Sequence, residues 1–176
     1  PYLKTSVFDL AKHRVLWLLI LMVSATVTGR IISYYDGLLQ TAVVLASFIP
    51  MLMDTGGNAG SQASVTIIRG IALDEVKFRD LFRVMWKELR VSIILALSVS
   101  VACFAKLQLI DRLMFGYNYT VLLSVIVALA LFITIIVAKL VGCTLPMIAK
   151  RLKLDPAVVA SPFITTIVDA LSLLVY

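Results

Sequence analysis

From Tyr119 to Ala149 the chain carries one charged side chain, Lys139, in a run that would measure roughly 46 Å as ideal helix. A soluble domain has no place for so long an apolar rod. A bilayer core of ~30 Å takes it with tilt, bend or overhang. The rest of the chain agrees: 61% of its 176 residues are hydrophobic and its mean hydropathy is +1.04. Ordinary globular domains sit near about 45–50% apolar. The sequence therefore predicts an all-α, polytopic membrane protein built as a single transmembrane domain over residues 1–176.

Five spans are predicted, over Val15–Ser33, Leu38–Arg69, Val91–Lys106, Tyr119–Ala149 and Ala157–Tyr176. The third is short enough to borrow from the segment before it. That segment, Leu73 to Arg90, sets Phe78, Leu81, Phe82, Met85 and Leu89 at helical spacing among alternating charges. It reads either as an amphipathic helix along the interface or as an extension of the third span.

Charge placement sets the orientation. Twelve of the 16 Lys and Arg residues fall on one side: Lys4, Lys12, Arg14, the group from Arg69 to Arg90, and Lys150, Arg151 and Lys153. Arg30, Lys106 and Arg112 fall on the other, and Lys139 is expected to snorkel toward the basic side. The positive-inside rule then places the N-terminus in the cytoplasm and, after five crossings, the C-terminus outside a cell membrane. The net charge of +6 lacks the aromatic or motif context of a nucleic-acid module, so no nucleic-acid partner is expected. Cys103 and Cys143 read as buried free thiols, and His13, in "KHR" at a membrane edge, as an interfacial charge. The chain opens on Pro1 rather than Met, so its natural start is expected to be missing; no signal peptide is legible.

The second span contains a stretch that does not suit lipid. "PMLMDTGGNAGSQAS", Pro50 to Ser64, sets Asp54, Gly56, Gly57, Asn58, Gly60 and Gln62 between aliphatic runs. Counted from Leu38, Asp54 lies about 24 Å along an ideal helix, in the inner half of a bilayer. A charge at that depth should face protein or a water-filled cavity. Pro50 frees backbone carbonyls, so the second helix is expected to be broken or kinked. Gly56 and Gly60, four apart, let another backbone approach closely. A purely structural role, glycines packing helices while Asn58 and Gln62 bond across them, accounts for part of the motif.

The fifth span carries a second polar feature. Asp155 is predicted as N-cap with Pro156 at the first helical position. Ser161, Thr165, Asp169 and Ser172 follow as a stripe on an otherwise apolar helix. Asp169 lies about 20 Å in from Pro156, near mid-membrane. It reads as a cation site, with pairing to Lys139 as the structural alternative. Oxygen ligands suit Mg²⁺, Ca²⁺ or Mn²⁺ better than copper or zinc. One carboxylate per chain, doubled in a dimer, fits a hydrated ion better than a dry cage of oxygens.

"PMLMDTGGNAGSQASVTIIR" resembles the second-helix signature of the MgtE magnesium transporters, and "DPAVVASPFITTIVDALSLLVY" resembles their fifth helix. The resemblance implies a homodimeric Mg²⁺ channel, not an enzyme, with a pore between subunits lined by helices two and five. It implies Asp169 as the ion-selecting carboxylate, with backbone carbonyls of Thr165 and Ser161 around the hydrated Mg²⁺. Asp54, Gly56, Gly57, Asn58, Gly60, Gln62 and Ser172 are then candidates to line or support the pore. The cytoplasmic regulatory domains usual in that family have no counterpart in this sequence. Two other functions fit the composition: an ion-coupled secondary transporter, which should show paired repeats, and a non-transporting scaffold assembled through Gly56 and Gly60.

Overall fold

The computed structural model describes residues 6–34 and 43–176. The chain there forms α1 (Val7–Tyr34), α2 (Val43–Ala46), α3 (Ile49–Ala72), α4 (Leu81–Ala105), α5 (Asp111–Phe115), α6 (Val121–Arg151) and α7 (Pro156–Val175). A 3-10 turn, Phe78–Asp80, leads into α4, and a π turn, Lys106–Ile110, joins α4 to α5. Among the described residues, Arg14–Tyr34, Phe78–Phe115 and Val121–Arg151 are long and apolar enough to cross a membrane, and Phe163–Val175 is a shorter apolar helix. The second predicted span begins at Leu38, outside the described residues. Its described part, α3, is less apolar because Asp54, Asn58, Ser61, Gln62 and Ser64 all fall within it.

The helix ends follow from local chemistry. Asp155 Oδ1 accepts from the Ala157 N–H at 2.9 Å and Pro156 opens α7, the cap the sequence predicts. Thr120 Oγ1 does the same for α6, accepting from Leu123 N–H at 3.2 Å. Gly116 closes α5 with φ +70°, a conformation that favours glycine. Ser47 and Phe48 separate α2 from α3, and Pro50, which has no N–H to donate, falls in the first turn of α3, where that N–H would have no partner within the helix. Beyond that point α3 is unbroken through all its glycines.

The central element is α6, which packs against α3, α4 and α7; α1 packs against α7. Small residues make these contacts close. On α3, Gly56, Ala59, Gly60, Ala63 and Ser64 belong to one buried stripe. A Cβ on Gly142 of α6 would run into the Gly60 carbonyl, and one on Gly60 would meet the Ala138 carbonyl at 3.0 Å. On α4 the buried positions are Ser92, Ala96, Ser100 and Cys103, again small. Both thiols are free and buried, as expected.

Polar contacts pin the two ends of the bundle. At one end the Tyr176 hydroxyl donates to the Leu45 carbonyl at 2.7 Å, and Gln108 Nε2 donates to Ser124 Oγ at 2.8 Å. At the other, the Arg151 guanidinium stacks on the Phe78 ring at 4.3 Å. The basic groups Arg69–Arg90 and Lys150–Lys153 gather at this second end.

One open choice is decided and one expectation changes. From Phe78 the amphipathic segment runs through a 3-10 turn into α4 without a break, so this part of it extends the third span rather than forming a separate in-plane helix. Lys139 does not snorkel. It is buried, with Nζ 3.4 Å from Glu88 Oε2 on α4. A counter-charge one helix away satisfies the ammonium inside the bundle, where removing either partner would strand a buried charge.

Candidate cation site

One face of α3 carries Asp54, Gly57, Asn58 and Ser61 at helical spacing, and α7 presents Thr165 and Asp169 toward it. With Met53 these residues line an open cleft of about 300 Å³. Asn58 Nδ2 donates to Asp54 Oδ2 at 3.2 Å across one turn, which orients that carboxylate. Gly57 leaves the cleft open: a Cβ there would meet nothing within 4 Å.

The electrostatics are one-sided. The ion pairs among the described residues are Lys77–Asp74, Lys106–Asp111 and Lys139–Glu88. Neither Asp54 nor Asp169 takes part in any of them, and Lys139, the alternative structural partner for Asp169, pairs with Glu88. Two carboxylates thus share a cleft that no Lys or Arg among the described residues lines. A carboxylate at membrane depth is costly unless a cation or a proton neutralises it. The cleft offers carboxylate, hydroxyl and amide oxygens, the donors hard divalent ions take. Among the described residues no three His, Cys, Asp or Glu side chains converge, so the donor set is sparse.

The sequence candidates separate into groups. Asp54, Gly57, Asn58, Thr165 and Asp169 come together on the cleft. Gly56 and Gly60 are buried in helix packing, where a Cβ on Gly56 would come within 2.7 Å of the Thr134 methyl. Ser172 is also buried, its hydroxyl donating to the Val168 carbonyl at 2.6 Å. Gln62 is exposed and lies off the cleft lining. Ser161 belongs to α7, but its side chain lies outside the described residues. Ser61 and Met53 are additions. Ser61 stands seven residues after Asp54, so extending the i, i+3, i+4, i+7 pattern from the carboxylate would have found it.

Helices long and apolar enough to cross a membrane, around a cleft with two carboxylates outside the ion pairs of the described residues, define a class: α-helical membrane proteins with a polar cleft. Comparison with known sequences narrows this. The family model of MgtE, a divalent cation transporter, matches residues 49–176. The chain is 34% identical over 172 residues to "Magnesium transporter MgtE" of Bacillus subtilis, covering 98% of this chain and 37% of that protein. It is 35% identical over 163 residues to the protein of that name from Thermus thermophilus, covering 93% and 34%. The chain belongs to the MgtE family. It spans about a third of the length of these relatives.

Proposed function

We propose that this chain is the membrane-embedded conducting domain of a Mg²⁺ transporter and works as a homodimer, with the two clefts facing one another across the twofold axis. The carrying observation is the cleft itself: Asp54 and Asp169 from two helices, outside the ion pairs of the described residues, on a surface that one chain leaves open. A second copy would close it into a path with four carboxylates. The magnesium transporter names of the relatives favour Mg²⁺ as the ion. Mg²⁺ sheds water reluctantly. Asp169 therefore attracts and selects the hydrated ion, and the Thr165 and Ser161 carbonyls, one and two turns earlier, contact its retained waters. Asp54, oriented by Asn58, lies on the approach. Five crossings, the second bent ahead of Pro50, with the basic end in the cytoplasm, would put the N-terminus inside and the C-terminus outside the cell membrane. No GxxxxGK[ST] phosphate loop occurs in these 176 residues to support ATP-driven pumping, and the reading takes the ion gradient and membrane potential as the drive.

Purified chain in liposomes, offered Mg²⁺, Mn²⁺, Ca²⁺ and Co²⁺ with and without an inside-negative potential, tests this. Mg²⁺ uptake that grows with the potential and needs no second ion gradient is expected. Uptake that requires an H⁺ or Na⁺ gradient would make the protein a coupled carrier. No divalent uptake at all would leave the scaffold reading.

A further inference from the structure

We infer that the first turns of α4 form a docking face for anionic phospholipid headgroups in the leaflet at the basic end of the bundle. The continuous stretch Phe78–Phe115 has 38 residues. At 1.5 Å per residue that is about 57 Å, far beyond a ~30 Å hydrocarbon core. One end of the rod must leave the hydrocarbon. The apolar sequence begins at Val91, so Trp86 stands about 7 Å further out along the axis, within the headgroup layer.

The two faces of this arm differ sharply. Leu81, Val84 and Met85 pack inward on a cluster formed by Ala63, Ile67, Cys143 and Met147. Glu88, on the same inward face, pairs with buried Lys139. The arm is therefore held in place, and its outward face has a fixed direction. That face presents Arg79, Phe82, Arg83, Trp86 and Arg90, all exposed, with Phe82 at 82% and Trp86 at 61%. The Arg90 guanidinium lies over the Trp86 ring, 5.9 Å from its centroid. Two large aromatics left in water would be costly. At a membrane interface they are the side chains of choice. The exposed side chains of this face include three guanidiniums and no carboxylate, while half-buried Asp80 accepts from the Lys77 N–H at 3.1 Å, and such a face would repel a second copy of itself. The guanidiniums suit phosphate, which arginine binds through paired N–H donors. A headgroup phosphate near Arg83 and Arg90, with its glycerol against Trp86, satisfies both kinds of side chain at the depth of the headgroup layer, and Arg79, about 18 Å beyond Val91, adds positive charge further out. The attraction to an anionic leaflet adds to this and is screened by salt.

The test uses Trp86 as its own probe. The chain has two tryptophans, so Trp17→Phe leaves Trp86 alone. The protein is placed in vesicles of equal phosphatidylglycerol and phosphatidylcholine, with acyl-chain bromine on one lipid or on the other. Brominated phosphatidylglycerol is expected to quench Trp86 fluorescence roughly twofold more than brominated phosphatidylcholine, and the excess should fall in high salt. Replacing Arg79, Arg83 and Arg90 together by Gln should equalise the two lipids. Equal quenching in the Trp17→Phe protein overturns the proposal without any need for the triple variant. Quenching by neither lipid also overturns it, because Trp86 then touches no lipid. None of these readouts depends on ion flux.

Discussion

Asp169 and Asp54 reach one cleft from different helices, and the cost of keeping them there charged is the basis of the functional reading. Asp169→Asn keeps the shape and removes the charge. Folding should survive, since a neutral amide is easier to bury than a carboxylate. Attraction for a divalent ion at low local screening should not: Mg²⁺ flux into liposomes is expected to fall by roughly tenfold or more. Asp169→Glu should conduct with altered preference among divalent ions, because its longer arm intrudes on retained waters. Asp54→Asn, on an exposed part of the cleft, should lose less. Flux measured beside size exclusion separates these outcomes, and an Asp169→Asn protein that is dimeric and conducts like the parent would remove Asp169 from the path. Both carboxylates were legible in the sequence because a charge inside an apolar run stands out. Ser61 carries no such contrast in a membrane helix and is legible only through its helical spacing from Asp54.

The two faces of α3 are the main lesson at the scale of the element. Its glycines look alike in sequence, yet Gly56 and Gly60 sit where a Cβ would collide with α6 and α7, whereas Gly57 faces open space. Their neighbours lie 78 to 116 residues along the chain, so spacing within the helix could not sort them; only the packed structure does. Substitution should sort them again. Gly60→Leu forces overpacking against the Ala138 carbonyl and Ile164 and should cost roughly 1–3 kcal/mol, lowering the thermal midpoint and the yield of folded protein. Gly57→Leu should leave stability within about 0.5 kcal/mol and still depress flux severalfold, because its side chain occupies the cleft. A Gly57→Leu protein with unchanged flux would show that ions take another route. For α4, the hydrophobic period fits an in-plane helix and a continuation of the span equally well. What decides for continuation is that no Gly or Pro interrupts Leu81 to Ala105, a signal present in the sequence.

The open cleft makes its strongest demand on the whole molecule. A single chain in a bilayer would present Asp169 to lipid, an expensive arrangement that a second chain and a water-filled gap between the two would relieve. Helix order, caps, basic end and buried thiols could be read from one chain, because they depend on local pattern or on contacts within it. The partner of a cleft is not written in a single chain's periodicity, so the twofold arrangement needs its own test. With Cys103 and Cys143 replaced by Ala, single cysteines at 165, 169 and 172 give one. Thr165 and Asp169 line the cleft, whereas Ser172 is buried between α3 and α6. Cysteines at 165 and 169 should react with aqueous thiol reagents, and Mg²⁺ should slow that reaction by occupying the path. A gap wide enough for a hydrated ion exceeds the ~3.5–4.5 Å Cβ separation of a disulfide. A short bifunctional maleimide should therefore join two chains where simple oxidation does not. The cysteine at 172 should do neither. Linkage at 172 but not at 165 or 169 would mean that two copies meet through another surface. The cleft would then have to be closed by something other than a second copy of this chain.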